Sequence, residues 1–167
     1  MNIYGVTGWK NCGKTGLMER LITEFTRRGL RVSSVKHAHH SFDIDQPGTD
    51  SYRHRDAGAC EVMLVSPNRV AHMQELRGAE EPPLAELLDR LSDVDLVLIE
   101  GFKRENHPKI EAHRAEAGQP LIAPNDDKIR AVASDTPLTL DRPVFDLDDT
   151  QAIADFIAAE LDLVTAP

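Results

Sequence analysis

Residues 8–15 read Gly-Trp-Lys-Asn-Cys-Gly-Lys-Thr and follow an apolar run that includes Ile3, Tyr4 and Val6. A glycine, four variable residues and then Gly-Lys-Thr, set between a strand and a helix, form the P-loop pattern. These residue types suit a polyphosphate. Gly8 and Gly13 permit close backbone approach, so successive amides through Trp9, Lys10, Asn11 and Cys12 can point at phosphate oxygens. The positive end of the helix that follows adds to the same pull. Lys14 is expected to place an ammonium on the β- and γ-phosphates, and the Thr15 hydroxyl to ligate the Mg²⁺ that bridges them.

A site of this kind needs an acid on a neighbouring strand. The segment Asp95-Leu96-Val97-Leu98-Ile99-Glu100-Gly101 supplies it. Glu100 stands at the carboxyl end of the most apolar run, where open parallel sheets gather their ligands, and Gly101 gives the loop room to turn beneath phosphate. Asp95 lies about 16 Å away by strand rise and reads as a solvated strand start. Lys14 and Glu100 are the candidate catalytic pair, with Thr15 and Glu100 as metal ligands.

The segment 35–59 crowds polar donors and acids together. His37, His39 and His40 with Asp43 and Asp45 have the chemistry of a Zn²⁺ or Ni²⁺ site. They lack a fixed ligand spacing, so the favoured reading is a polar loop over the nucleotide, with Thr49 or Asp50 capping a short helix through Arg53. Cys12, between lysines and near a helix N-terminus, reads as a reactive thiol and Cys60 as a buried one, the alternative being that Cys12 points into the core below the loop. Both are expected to be free.

Strand-like and helix-like segments alternate along the chain, which implies an α/β fold with a mainly parallel sheet and helices on its faces. Strands are predicted at 2–7, 31–37, 59–66, 69–75, 95–99, 109–113, 129–133 and 144–147. The pair 59–66 and 69–75 reads as a β-hairpin across Pro67-Asn68. Helices are predicted at 16–28, 84–91 and 150–161. In the first, Leu17, Leu21, Ile22 and Phe25 share one face.

The 167 residues, 41% of them hydrophobic, suit one P-loop domain spanning 1–167 with its own core. The formal net charge of −9 opposes general attraction to nucleic acid or an anionic membrane, so any anion must be held by local groups. The longest apolar stretch is far too short to span a bilayer, and the expected location is cytoplasmic.

The P-loop; Lys36-His37 with Asp43-Ile44-Asp45-Gln46-Pro47-Gly48-Thr49-Asp50-Ser51, Arg53 and Ala57-Gly58-Ala59; Ile99-Glu100-Gly101-Phe102-Lys103; and Pro108-Lys109-Ile110-Glu111 together resemble the MobB family. The resemblance covers most of the chain. It implies a GTP-binding P-loop protein that forms homodimers and assists the guanylyltransferase making molybdopterin guanine dinucleotide in molybdenum cofactor biosynthesis. By that resemblance Gly13, Lys14 and Thr15 carry phosphate and Mg²⁺ contacts and Glu100 is the strand-end acid. Lys36, Asp50 and Arg53 join the nucleotide set, and Asp45 the metal set. GTP and Mg²⁺ are the cofactors implied, with molybdopterin a further candidate ligand.

Guanine preference rests on the resemblance, because the signature Asn-Lys-x-Asp is absent: Asn125-Asp126-Asp127-Lys128 has other residues in that order. Asp135 could accept from guanine donors or cap a turn. No Gln or Arg stands out as a hydrolysis catalyst, so at most slow GTP turnover is expected. Two other readings remain open. One is a metal-delivering GTPase using the histidines; the other is a small-molecule kinase with Lys36, Arg53 and Lys103 gripping an anionic acceptor.

Overall fold

The computed structural model describes residues 1–38 and 41–164. The chain divides into two compact units, Met1–His37 with Leu88–Pro167, and Ala38–Leu87. The element order is β1 (Asn2–Thr7), α1 (Lys14–Arg27), β2 (Val32–Lys36), α2 (Asp50–Asp56), β3 (Glu61–Ser66), β4 (Arg69–Gln74), α3 (Leu84–Asp89), β5 (Leu96–Glu100), β6 (Lys109–His113), β7 (Ile129–Ser134), β8 (Val144–Asp146) and α4 (Thr150–Glu160). Two short 3₁₀ turns, Ala115–Ala117 and Ala123–Asn125, lie between β6 and β7.

In the first unit six strands form one sheet in the order β2-β5-β1-β6-β7-β8, every neighbouring pair parallel. A parallel sheet must be covered on both faces, which is why β5 consists of Leu-Val-Leu-Ile-Glu with every residue buried. On one face Leu17, Leu21 and Phe25 of α1 pack with Tyr4, Val6, Leu98 and Ile110 of the sheet and Ile153 and Ile157 of α4. Each such large apolar side chain contributes about 1.5–3 kcal/mol through burial. This packing fixes the start of α1 against the end of β1.

Register then sets the level of the functional residues. Glu100 pairs with Val6 of β1 on one side and with Lys36 of β2 on the other, so three strands end together. β6 begins where β5 ends, since Lys109 pairs with Gly5. The chain therefore passes from β5 to β6 across β1 without a helix. Asp95 is not merely a solvated start: its carboxylate accepts from the Arg31 amide at 2.7 Å, tying β5 to the entry of β2.

Two boundaries differ from sequence expectation in a way that matters. α1 begins at Lys14 rather than residue 16, and Glu100 is itself the last residue of β5. Both P-loop side chains thus leave from the first helical turn.

In the second unit β3 and β4 form an antiparallel hairpin, with Ser66 opposite Arg69 across the two-residue turn. Thr49 caps α2, its hydroxyl accepting from the Tyr52 amide. Asp45 accepts from the Thr49 and Ser51 hydroxyls at 2.8 and 3.1 Å. Arg55 donates to Asp43 at 2.8 Å and to Glu75 at 2.6 Å. Much of the polar crowding in 43–55 is consumed in folding that segment.

Candidate functional site

β1 delivers the chain to Gly8, and the loop that follows closes on itself through the Cys12 amide donating to the Trp9 carbonyl. Asn11 and Gly13 adopt positive φ, 65° and 89°. Gly13 is the N-cap of α1 and makes no side-chain cap bond, and the first turn holds no acid. A helix start leaves its first amides without intrahelical partners. Here no cap side chain takes them up, which leaves an anion-binding cradle.

Around it stand groups from the start of α1 and from the ends of β2 and β5. The Thr15 hydroxyl donates to Glu100 Oε1 at 3.2 Å, and Lys36 Nζ lies 3.3 Å from the same oxygen. Glu100 is buried, whereas the Lys36 ammonium reaches out to solvent. Lys14 donates to the Trp9 carbonyl. Burial pushes the Lys14 pKa down; Glu100 opposes that shift, and Lys103 and Lys36 add to it. Lys103 sits over the Trp9 ring, 4.1 Å from its centroid, while the indole N–H donates to the Pro120 carbonyl at 2.7 Å. Gly101 turns with φ 93° against His37, whose ring packs on Phe102 at 4.8 Å.

The structure therefore brings together Gly8, Trp9, Cys12, Gly13, Lys14, Thr15, Lys36, Glu100 and Gly101 within one unit, with Lys10 and Asn11 exposed on the loop. Asp45, Asp50 and Arg53 belong to the other unit. There Asp50 lies 3.8 Å from Arg53, both side chains largely exposed, and Asp45 is held by its hydroxyl partners. Among the described residues no group of three or more His, Cys, Asp or Glu is arranged to hold a metal. His39 and His40, part of the expected histidine cluster, lie outside the described residues.

The cysteine expectation is reversed. Cys12 is buried, 1% exposed, and Cys60 is the exposed thiol. The left-handed turns at Asn11 and Gly13 direct the residue between them under the loop, where a free cysteine packs as a small apolar group. Iodoacetamide should accordingly label the native protein once, at Cys60, and a Cys60→Ser variant should stay unlabelled until it is denatured. Mass spectrometry of the two proteins checks this, and rapid native labelling of Cys12 would contradict its burial.

Sequence reasoning missed two neighbours of the loop, Arg114 and Leu147, which flank Gly13. Both directly follow strands, and residues just past carboxyl strand ends are where this fold class places ligand contacts.

The donor set fits a Mg²⁺-bound polyphosphate: a hydroxyl and a buried carboxylate in hydrogen-bond contact beside a lysine and a glycine-capped helix start. Fold and site together define an α/β protein of the P-loop class. Residues 3–135 match the family described as Molybdopterin guanine dinucleotide synthesis protein B, MobB. The molybdopterin-guanine dinucleotide biosynthesis adapter protein of Haemophilus influenzae is 43% identical over 93% of this chain and 86% of its own length. The adapter protein of Escherichia coli is likewise 43% identical, over 93% of this chain and 90% of its own. The crystal structure of a MobB homolog from Bacillus stearothermophilus superposes with a TM-score of 0.71 at 28% identity, covering 98% of this chain and all of that one. The chain belongs to the MobB family.

Proposed function

We propose that the protein binds GTP with Mg²⁺ at the P-loop and acts as an adaptor for the guanylyltransferase that forms molybdopterin guanine dinucleotide. The observation that carries the nucleotide site is the Thr15 hydroxyl meeting the Glu100 carboxylate at 3.2 Å beside the start of α1. Thr15 and Glu100 would hold Mg²⁺, with Lys14 on the outer phosphates and the loop amides around them. When bound, the ion supplies charge neutralisation to the phosphates. Lys36 Nζ, 3.3 Å from Oε1, holds the Glu100 carboxylate in place from the neighbouring strand. Lys103 and the pinned Trp9 ring fix one wall of the loop.

The guanine base and the guanylyltransferase rest on family membership and on the adapter role named for the relatives. Hydrolysis is slow in this reading, since Lys14 and Mg²⁺ offset phosphate charge but no side chain of the site is placed as a water-orienting Gln. A homodimer fits the second unit, whose hairpin exposes Met63, Leu64, Val65 and Val70. In the described residues no helix is long and apolar enough to cross a membrane.

Glu100→Gln keeps the shape of the side chain and removes its charge. The variant should bind GTP in EDTA about as the parent does and lose most of the Mg²⁺-dependent gain in affinity. Calorimetry with GTP and ATP, with and without Mg²⁺, tests the reading: equal Mg²⁺ gains in both proteins would remove Glu100 from the ion, and equal affinities for GTP and ATP would remove the guanine preference. Retention of the purified guanylyltransferase on the immobilised protein tests the adaptor role.

A further inference from the structure

Gly13 has two close neighbours from strand ends far apart in the chain. A Cβ built on it would lie 3.1 Å from Arg114 Nε and 3.1 Å from Leu147 Cδ2. Arg114 follows β6 and Leu147 follows β8, both on the side of β1 opposite to β5 and Glu100. Each is fixed through its backbone. The Asp135 carboxylate, just past β7, accepts from the Ala115 amide at 2.9 Å and so anchors the turn that carries Arg114. Arg20 of α1 donates to the Leu147 carbonyl at 2.7 Å and to the Thr150 hydroxyl at 3.0 Å. The Arg114 guanidinium itself is exposed and makes no hydrogen bond or ion pair among the described residues.

A nucleoside triphosphate is a linear chain with the nucleoside at one end. With its outer phosphates at Lys14, Thr15 and Glu100, on the β5 flank of the loop, the nucleoside must leave on the β6-β8 flank, where Arg114 and Leu147 stand. A planar guanidinium with no partner among the described residues, set with an apolar side chain beside Gly13, suits the face of an aromatic base better than a further phosphate, which the lysine and loop amides already serve.

We propose that Arg114 is the nucleoside-gripping residue of this site, its guanidinium stacking on the purine of the bound nucleotide beside Leu147, with Asp135 as the residue that positions it. The inference rests on the P-loop nucleotide reading. It is tested by titrating the parent protein, Arg114→Ala and Arg114→Lys with GTP·Mg²⁺ and with inorganic tripolyphosphate·Mg²⁺, which lacks the base. Both variants are expected to bind GTP about tenfold more weakly and tripolyphosphate within about twofold of the parent, with unchanged thermal midpoints because the side chain is exposed.

The outcomes separate cleanly. If the parent binds neither ligand, the nucleotide reading falls and the stacking role falls with it. If the parent binds both and Arg114→Ala weakens them equally, Arg114 is a phosphate ligand and stacking is wrong. Full GTP affinity in Arg114→Lys means that charge alone suffices, and full affinity in Arg114→Ala places the residue outside the site; either overturns the proposal.

Discussion

Replacing Lys14 with alanine is expected to weaken GTP·Mg²⁺ binding by about 1.5–3 kcal/mol, on the order of ten- to a hundredfold, the loss of charge-assisted hydrogen bonds to phosphate. The structure also explains why the fold should survive. Lys14 gives its hydrogen bond to the Trp9 carbonyl, while Glu100 keeps both Thr15 and Lys36 as partners. No buried carboxylate is left alone, which is the usual reason that removing one member of a charged cluster unfolds a protein. Removing the ammonium also removes a like charge near Lys36 and Lys103, two of the causes that hold the Lys14 pKa down. Calorimetric titration with GTP, set beside thermal unfolding of the two proteins, gives the answer. Undiminished affinity at an unchanged midpoint would mean that the loop does not hold the triphosphate.

What could be read from the sequence divides along physical lines. β1 and β6 are found at the predicted residues, and the P-loop joins β1 to α1 as expected, because the pattern and the one-sided Leu17-Leu21-Phe25 stripe are local signals. The place of Glu100 was legible for a related reason: an apolar run buried on both faces has only one end at which a carboxylate can meet a ligand. The orientation of Cys12 was not. It depends on the left-handed φ at Asn11, which an asparagine permits more readily than most residues but does not require. Arg114 and Leu147 were hidden by topology, since the order β6-β7-β8 brings together positions that no local pattern links. The acids of 43–50 carry a double signal. Ligand-like carboxylates are also good partners for Thr, Ser and Arg nearby in the chain, and in this unit Asp43 and Asp45 have taken those partners.

The second large effect is expected at Gly8, and it falls on the fold before it falls on binding. Gly8 has φ 140°, a conformation that L side chains rarely adopt, and a Cβ there would stand 2.4 Å from the Ala112 carbonyl oxygen. That oxygen cannot swing aside as a flexible side chain could. Ala112 is fully buried in β6 and is paired with Ala133 of β7, so relief requires the end of β1 to move away from its neighbouring strand. Gly8→Ala should therefore cost at least about 2 kcal/mol, roughly 4–8 °C in thermal midpoint for a chain of this size, and should weaken GTP binding by displacing the start of the cradle. Gly16→Ala is the matched control. Gly16 lies inside α1, where the nearest atom to an added Cβ is the far end of the Arg20 side chain at 3.5 Å, so the same change should be neutral or stabilising by about 0.5–1 kcal/mol. Thermal unfolding of the two variants isolates the close approach at Gly8 from the general effect of an added methyl group. If both midpoints match the parent, the loop is not wedged against β6 and the cradle is not held by the strand beside it.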